Sequence, residues 1–548
     1  MGVFFPKGKN HVRQGGGRKR RRSAAAGDSS VFRSQVPDMN SPRIEGGAKR
    51  VTLKNQVESH EIVELTPSGM KAIDNSPLLN DDLRPTRKDE RTWETYNISA
   101  LWIGMAVCIP TYQLSSGLIA AGMNWWQAVL TILLGQLIVL IPLILNAHAG
   151  TKFGIPYPVF ARLWYGVKGS HIPSIARAIV AAGWFGIQTW IGGSGLDVLF
   201  SKMWSGWSAV PAHLGVAFIL FWGINVWIAY LGPDAIKKLE SWGAPILIGM
   251  GLVLLWWAYS AAGGWGPMLS TPSKFQTNAE FLKVFFPALT GMIGFWATLA
   301  LNIPDFTRYA KSQKAQIWGQ IWGLPTTMAL YSFIGVAVTS ATVVVYGEAI
   351  WDPVILMSKF PTWVVLIGTA GIILATITTN IAANVVAPVR AFENLLPRKL
   401  TWGHGVLITG LLGIAMQPWY IMANFSNYIF GWLGTYAAFL GPIDGVAFAD
   451  YWLVRKRRLD LVGLYTPGGR YDYRGGINLQ AVWATLTGIF VGMIGKFIPT
   501  LSFLADNSWV VGLIVSAVVY WALMQKDASQ LSEQDYLALT EMSSSAAD

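Results

Sequence analysis

The stretch Gly104-Met105-Ala106-Val107-Cys108-Ile109-Pro110 interrupts the first long apolar segment of this 548-residue chain. A helix that reaches this proline loses one hydrogen bond, because proline has no backbone N–H. In a lipid bilayer such a break survives only where protein or water satisfies the freed backbone groups. The stretch therefore indicates a helix that borders a cavity inside a membrane protein, with a plain kink as the alternative.

Charge is scarce around this stretch. The chain is 52% hydrophobic, and 13% of its residues are Asp, Glu, Lys or Arg, against about 25% in soluble domains. Residues 97–524 hold 23 Lys or Arg and 13 Asp or Glu in 428 positions. A soluble protein of this size needs more charge to cover its surface, so we predict an all-α polytopic membrane protein.

Apolar length divides the chain into three parts. A membrane-spanning helix needs about 20 mainly apolar residues. A twelve-span domain at 97–524 lies between a basic, cytosolic and largely disordered N-terminal region (1–96) and a cytosolic C-terminal tail (525–548). The predicted spans are 97–122, 125–148, 174–200, 210–231, 242–262, 284–303, 318–346, 361–388, 403–421, 425–453, 479–499 and 507–524.

The charges of the loops predict the orientation. If the N-terminus is cytosolic, the cytosolic loops carry 17 Lys or Arg and the opposite loops carry 5. This bias is typical of membrane proteins, predicts that both termini are cytosolic, and explains most of the net charge without a nucleic-acid partner. The basic run 18–22 could contact anionic lipid or belong to a targeting segment. The expected location is the plasma (inner) membrane, with a plastid envelope as the alternative.

Several function classes lack the residues that they require. One cysteine, Cys108, rules out an internal disulfide and any Cys-based metal site. No glycine-rich phosphate motif stands at a strand-to-helix turn, so nucleotide hydrolysis is not supported. A membrane enzyme is disfavoured because no nucleophile–base pair is evident. Transport driven by an ion gradient fits better, and no cofactor is expected.

Two further predicted spans contain helix-weakening residues. The sixth span has Gly291 and Gly294, and the eighth has the polar run 375–384. The first and sixth spans are five apart, as are the third and the eighth. Interrupted spans at corresponding positions of two halves indicate an inverted-repeat transporter with a binding site at mid-membrane.

The middle of these spans is aromatic and neutral-polar. Trp184 and Gln188 lie one helical turn apart on one face of the third span, and Asn384 adds a second amide from the eighth. An indole can stack on a flat ring, while an amide both donates and accepts hydrogen bonds. Together they suit a planar, uncharged heterocycle, although each residue alone could serve packing instead.

A cation such as Na⁺ would need several oxygen ligands. Unwound backbone near Gly104 and Val107 could supply carbonyls, as broken helices do in transporters. Ala375 could add a carbonyl, and Thr378 and Thr379 could add hydroxyls. Alternatively, these hydroxyls bond back to carbonyls of their own helix.

Five stretches of the chain carry specific motifs: Trp184-Phe185-Gly186-Ile187-Gln188-Thr189-Trp190, Trp296-Ala297-Thr298 with 302–309, Thr378-Thr379-Asn380-Ile381-Ala382-Ala383-Asn384, 154–162, and Asp450-Tyr451-Trp452-Leu453-Val454-Arg455. With these motifs, about residues 80–475 resemble the nucleobase–cation symporter family. The resemblance implies a leucine-transporter-type fold, in which spans 1–5 and 6–10 form inverted repeats and two helices are additional.

The resemblance also implies which residues form the site. A ligand ring would lie between two tryptophans, and a cation would lie where spans one and eight cross. The implied substrate contacts are Trp184, Gln188, Phe295, Trp296, Asn384 and Cys108, and the implied cation ligands are Gly104, Val107, Ala375, Thr378 and Thr379. Cys108 and Phe295 replace a glutamine and a glycine of the family's hydantoin carriers, so the exact substrate does not carry over.

These observations predict a cation-coupled symporter that imports a nucleobase, hydantoin or allantoin by alternating access. Na⁺ is the preferred coupling ion because no acid lies at the predicted crossing, and H⁺ is the alternative. The expected partners are the substrate, the cation and the bilayer, and the expected state is a monomer. The rival functions are a carrier of another amine or amino acid with the same fold, and a membrane receptor or scaffold that does not transport.

Overall fold

The computed structural model describes residues 54–396, 399–527 and 529–542, without the side chains of residues 233–244. In this part of the chain helices dominate, and three short strands form one sheet. The α-helices are α1 (Pro67–Ile73), α2 (Thr95–Ala106), α3 (Ile109–Ala120), α4 (Trp125–Phe153), α5 (Tyr157–Tyr165), α6 (His171–Met203), α7 (His213–Tyr230), α8 (Pro233–Ala261), α9 (Trp265–Leu269), α10 (Asn278–Asn302), α11 (Pro304–Thr307), α12 (Gln313–Tyr346), α13 (Pro353–Ser358), α14 (Thr362–Asn384), α15 (Val386–Leu395), α16 (Trp402–Ala415), α17 (Pro418–Ile421), α18 (Gly434–Phe448), α19 (Leu479–Met493), α20 (Ser502–Asp506), α21 (Ser508–Met524) and α22 (Glu533–Leu539). The strands are β1 (Gln56–Ser59), β2 (Ile62–Leu65) and β3 (Thr540–Met542). Two π-helical segments, Asn427–Leu433 and Ala449–Val454, flank α18.

Each of the twelve predicted spans overlaps a helix or a pair of consecutive helices. Among the described residues, seven helices are long and apolar enough to cross a membrane, or up to nine if two bent helix pairs each count as one span. The prediction of a polytopic, mainly helical membrane protein is therefore confirmed. The count of twelve spans and the inverted repeat stay predictions.

The long helices pack around a mainly apolar core and also present apolar residues outward. α10 packs against α4 and α18, α14 packs against α6 and α8, and α2 packs against α12. Leu137 and Ile141 of α4 and Trp256 of α8 are exposed. Outward apolar side chains are what a lipid environment favours, because lipid offers no hydrogen bonds.

The structure corrects two of the three predicted helix interruptions. α10 runs without a break through Gly291 and Gly294. These glycines let it approach the tenth predicted span, since a Cβ on Gly294 would lie 3.0 Å from the Leu433 carbonyl oxygen. α14 also continues through 375–384 and ends at Asn384. Thr378, Asn380 and Asn384 form hydrogen bonds without opening the helix.

The predicted disorder of residues 1–96 is also corrected in part. Residues 1–53 lie outside the described part of the chain. Residues 54–96 instead hold β1, β2 and α1, together with two short 3₁₀ turns. Val63, Ile73 and Leu83 of this segment are completely buried. Burial of such side chains stabilises the segment against the helical domain by about 1.5–3 kcal/mol each.

The sheet joins the two ends of the chain. Its order is β2-β1-β3, and β1 pairs antiparallel with β2 and parallel with β3. Glu58 of β1 forms a 2.8 Å ion pair with Lys152 at the end of α4. The Gln56 amide donates to the Leu459 carbonyl at 3.2 Å and accepts from the Leu461 backbone N–H at 3.1 Å. These contacts fix the sheet against one end of the helical domain.

The contact between α4 and α10 leads to a prediction about stability. A Cβ on Gly135 would lie 2.4 Å from the Met292 Cβ, which is too close for two carbon atoms. We expect Gly135→Ala to lower the free energy of unfolding by about 1–3 kcal/mol, the usual cost of overpacking. Thermal unfolding of the purified protein in detergent measures this change.

The matched control is Gly223→Ala in α7, where a Cβ would meet no heavy atom within 4 Å. Alanine favours a helix over glycine by roughly 0.5–1 kcal/mol, so this variant should be at least as stable as the wild type. Equal unfolding temperatures for the two variants would contradict the close packing of α4 on α10.

Candidate binding site

The helical backbone is broken between α2 and α3, which meet at an angle of 60°. Val107 leaves the helix with φ −81° and ψ 84°, and Cys108 is extended with φ −148° and ψ 162°. The Cys108 N–H donates to the Ala106 carbonyl at 3.1 Å. In a continuous helix it would donate to Gly104, four residues back. The predicted interruption of the first span is thus confirmed, and it frees the Gly104 carbonyl for another partner.

A small cavity lies beside this break, and we call it the chamber. Its walls come from the first, third, sixth and eighth predicted spans. The lining residues are Met105, Cys108, Pro110, Trp184, Gln188, Phe295, Trp296, Thr298, Leu299, Thr379, Ala383 and Asn384. All six residues predicted to contact the substrate are among them. The structure therefore brings these six residues together, while their contact with a ligand stays a prediction.

Phe295 joins the two tryptophans that were predicted to enclose a ring. Its ring centroid lies 5.2 Å from that of Trp184 and 5.0 Å from that of Trp296, and both pairs meet edge-to-face at 87°. The chamber holds about 30 Å³, well below the roughly 300–1,000 Å³ that is typical of ligand pockets. A planar heterocycle therefore fits only when aromatic side chains move, and Phe295 is the ring that touches both indoles.

A chain of two hydrogen bonds through Tyr436 orients the Trp184 indole. The Trp184 indole N–H donates to the Tyr436 hydroxyl at 3.3 Å, and this hydroxyl donates to the Gly294 carbonyl at 2.9 Å. The chain of bonds links α6, α18 and α10. Trp296, by contrast, has an indole N–H with no partner in the described part of the protein. Trp184 is therefore held in place, whereas Trp296 keeps an unused donor.

Two amides supply most of the polar character of the chamber. Gln188 is buried, and its Oε1 accepts no hydrogen bond from any described residue. The Asn384 amide nitrogen donates to the Asn380 side-chain Oδ1 at 3.0 Å, and the Asn380 amide nitrogen donates to the Phe185 backbone carbonyl at 3.2 Å. Asn380 was not among the predicted site residues, although its spacing of four from Asn384 was a usable signal. It orients Asn384, whose amide oxygen is left available to a ligand donor.

The predicted cation ligands lie on α2 and α14, which pack together, and at the Val107 break. The Thr378 hydroxyl donates to the Ala375 carbonyl at 2.8 Å, as the alternative reading of this residue allowed. Its oxygen keeps lone pairs that could face a cation. No group of three His, Cys, Asp or Glu side chains in the described residues could hold a metal ion. A cation here would rest on carbonyl and hydroxyl oxygens, and their convergence on one ion stays a prediction.

A buried polar network ties helices together on the side that carries the β-sheet. The Asp305 carboxylate accepts from the Tyr157 backbone N–H at 2.9 Å and from the Asn302 amide at 3.1 Å. The Arg177 guanidinium donates to the Asn302 oxygen at 2.9 Å. These bonds connect α5, α6, α10 and α11. Charged groups inside a membrane protein need partners, and this network supplies them for Arg177 and Asp305.

Comparisons with known proteins show the family of the chain and its fold. The family model described as a permease for cytosine/purines, uracil, thiamine and allantoin matches residues 85–512. The chain is 43% identical over 473 residues to the purine-uracil permease of Arabidopsis thaliana, covering 82% of this chain and 78% of that one. It is 41% identical over 458 residues to the allantoin permease of Bacillus subtilis, covering 82% and 93% of the two chains. A nucleobase-cation-symport-1 family transporter, solved closed with bromovinylhydantoin bound, matches with a TM-score of 0.71 and 26% identity, over 84% of this chain and 99% of that one.

The position of Phe295 leads to a prediction about access to the chamber. Cys108 lines the chamber and is the single cysteine of the chain, so the mass of the intact protein reports its modification. We expect Phe295→Ala to raise the rate at which a small polar thiol reagent modifies Cys108 several-fold, because removing the ring widens the chamber. Phe439→Ala is the control, since Phe439 is 40% exposed on α18 and does not line the chamber. An unchanged rate in Phe295→Ala would contradict the proposed obstruction.

Proposed function

The chain belongs to the nucleobase–cation symporter family, and we propose that it imports a neutral planar heterocycle together with a cation. The observation that carries this proposal is the composition of the chamber, where indole rings meet two amides beside a broken helix, and the Gln188 amide oxygen is unpaired among the described residues. The named substrates of the relatives are uracil, purines and allantoin, and the related solved transporter holds a hydantoin. A flat ring can stack on the indoles of the chamber, and carbonyl and N–H groups on its edge can bond to the amides.

The chamber favours a neutral substrate. Its lining includes no Asp, Glu, Lys, Arg or His side chain in the described chain. An amino acid would bring two charges into surroundings where unpaired charge is costly. Stacking on Trp184 and Trp296 would hold the ring, while Gln188 and Asn384 would read its edge. This division of roles favours a nucleobase, hydantoin or allantoin over the amine or amino-acid alternative.

The topology proposal is twelve spans with both termini cytosolic, with spans 1–5 and 6–10 as inverted repeats. The pairing of β1 with β3 supports an even number of spans, because it requires residues 56–58 and 540–542 to lie on the same side of the membrane. The excess of basic residues in the same loops supports the cytosolic side. We keep a monomer in the plasma (inner) membrane as the first proposal and a plastid envelope as the alternative location.

For the coupling cation there are two candidates. Na⁺ would use the freed carbonyls of Gly104 and Val107 with the oxygens of Ala375, Thr378 and Thr379. The carbonyl that the Cys108 amide leaves unpaired supports this candidate. H⁺ is the second candidate, and it is favoured by a buried carboxyl group outside the chamber.

The direct test of the proposed function is exchange and uptake in proteoliposomes. Labelled uracil, allantoin and benzylhydantoin should distinguish a carrier from a receptor, because a receptor binds without moving label inward. Trp184→Ala and Trp296→Ala should each weaken binding by about tenfold or more, since base–aromatic stacking contributes about 1–3 kcal/mol. Trp483→Ala is the control, because Trp483 is 63% exposed on α19. Unchanged affinity in both chamber variants would contradict the binding site.

The sodium candidate has a separate test. Thr379→Val keeps the shape of the side chain but removes a hydroxyl that lines the chamber. If Na⁺ binds there, the substrate affinity at low Na⁺ should fall several-fold, and high Na⁺ should restore most of it. Thr487→Val is the control, because the Thr487 hydroxyl bonds to its own helix on the exposed face of α19. Uptake by the wild type that ignores Na⁺ would contradict this site.

A further inference from the structure

Asp444 is a buried acid in the middle of a predicted span. It lies on α18 and is 1% exposed. Its Oδ1 accepts one hydrogen bond from the Asn146 amide at 2.9 Å, and its Oδ2 has no partner among the described residues. A carboxylate anion in this position is costly without a cation beside it. The protonated acid is neutral and carries its own donor, so the surroundings favour a bound proton.

Among the described neighbours of Asp444, Tyr157 is a titratable residue whose pKa depends on the charge of Asp444. α5 packs against α18, and the Tyr157 hydroxyl at its start is buried without a partner in the described protein. Burial raises the pKa of Tyr157 well above its usual value, and the charge of Asp444 raises it further. Tyr157 also donates its backbone N–H to Asp305. A series of buried polar groups thus leads from Asp444 towards the side that carries the β-sheet.

The other buried ionisable groups on the described elements that pack against α18 each form at least one bond to another group, although the Arg177 Nη1 has no partner among the described residues. Lys202 of α6 and Lys283 of α10 are exposed. On α6 and α4, the Arg177 guanidinium bonds to Asn302 and the His148 ring bonds to the Tyr451 hydroxyl. Near the end of α18, the Tyr520 hydroxyl of α21 donates to Asp450, which pairs with Arg455. The remaining contacts are Tyr436 with Gly294, Tyr428 with Pro110, Arg162 with Leu464 and Tyr165 with Thr485. α19 and the part of α10 beyond Lys283 contain no ionisable residue. In the described chain, therefore, no cation is paired with Asp444.

Asn146 connects this acid to the helix that carries Trp296. The Asn146 amide nitrogen donates one hydrogen to Asp444 and the other to the Ala300 carbonyl at 2.8 Å. Ala300 is four residues after Trp296 and lies on the same face of α10. Loss of the proton would leave a full negative charge on the group that Asn146 holds. The protonation state of Asp444 therefore changes the strength of the hydrogen bonds by which Asn146 joins α4 to α10 and α18.

We propose that Asp444 binds the proton that this carrier couples to its substrate. The inference rests on the proposed function and names the cation of that symport. Hydronium gives its proton to the carboxylate, which forms the acid and releases water. After the protein changes from the outward-open to the inward-open conformation, the acid O–H bond breaks and the proton is transferred to water on the other side of the membrane. The Na⁺ alternative is an outcome of the test.

The test uses wild-type protein in proteoliposomes with labelled uracil and allantoin as probes. An inwardly directed proton gradient should drive accumulation, and a pH-sensitive dye inside should report proton entry with the substrate. Asp444→Asn keeps the shape and cannot titrate. The Asp444→Asn variant should still exchange labelled for unlabelled substrate, but it should not accumulate substrate, and its exchange rate should not depend on pH. Asp444→Glu should keep the pH dependence, and Asp506→Asn, a partly exposed acid of α20, should behave as the wild type.

The outcomes separate the two proposals. If the wild type exchanges neither probe, the proposed function fails and this inference falls with it. If exchange is intact but no proton enters with the substrate, only the inference fails, whatever the variants do. Accumulation that follows a Na⁺ gradient at equal pH, with Asp444→Asn unaffected, would also overturn it. Loss of accumulation and of pH dependence with intact exchange supports it, because a merely structural acid would leave both unchanged.

Discussion

The bond from the Cys108 amide to the Ala106 carbonyl determines where the chamber can lie. Lipid offers no partner to a freed carbonyl, so an irregular backbone must face protein or an enclosed space. α10 and α14 stay helical opposite this break, and α6 completes the wall. The side chains of three regular helices therefore surround one irregular turn, and that turn contributes backbone groups where the helices contribute rings and amides.

The walls of this chamber are held mainly by neutral hydrogen bonds. Tyr436 links α18 to α6 and α10, Asn380 links α14 to α6, and Asn146 links α4 to α10 and α18. Such bonds between membrane helices average about 0.6 kcal/mol each. Contacts of this strength can be exchanged one at a time as helices shift. A wall built from them can close around a ligand and reopen without breaking a strong ion pair.

Local sequence signals were enough to predict much of the architecture. Features that depend on contacts between residues distant in the sequence could not be predicted from the sequence. Apolar length and one proline suffice to predict the spans and the break at Cys108. Helical spacing and side-chain chemistry selected Trp184, Gln188 and Asn384, and the family resemblance added Phe295, Trp296 and Cys108 to the predicted substrate contacts. The continuity of α10 through Gly294 depends on a neighbouring helix, and so does the position of Phe295 against both indoles. Asp444 lies in the tenth predicted span and was not among the predicted site residues, although an acid within a span is by itself an indication of function.

The pairing of β1 with β3 also imposes an order on the synthesis of the chain. Gln56 and Thr540 are partners although 484 positions separate them. At roughly 5–20 residues per second, a ribosome needs about 25–100 seconds to reach the second strand after the first. During that interval the β1–β2 hairpin has an open edge, which can pair with other chains. The third strand closes this edge only after the last predicted span has been made, so completion of the sheet marks a chain whose membrane domain is fully translated.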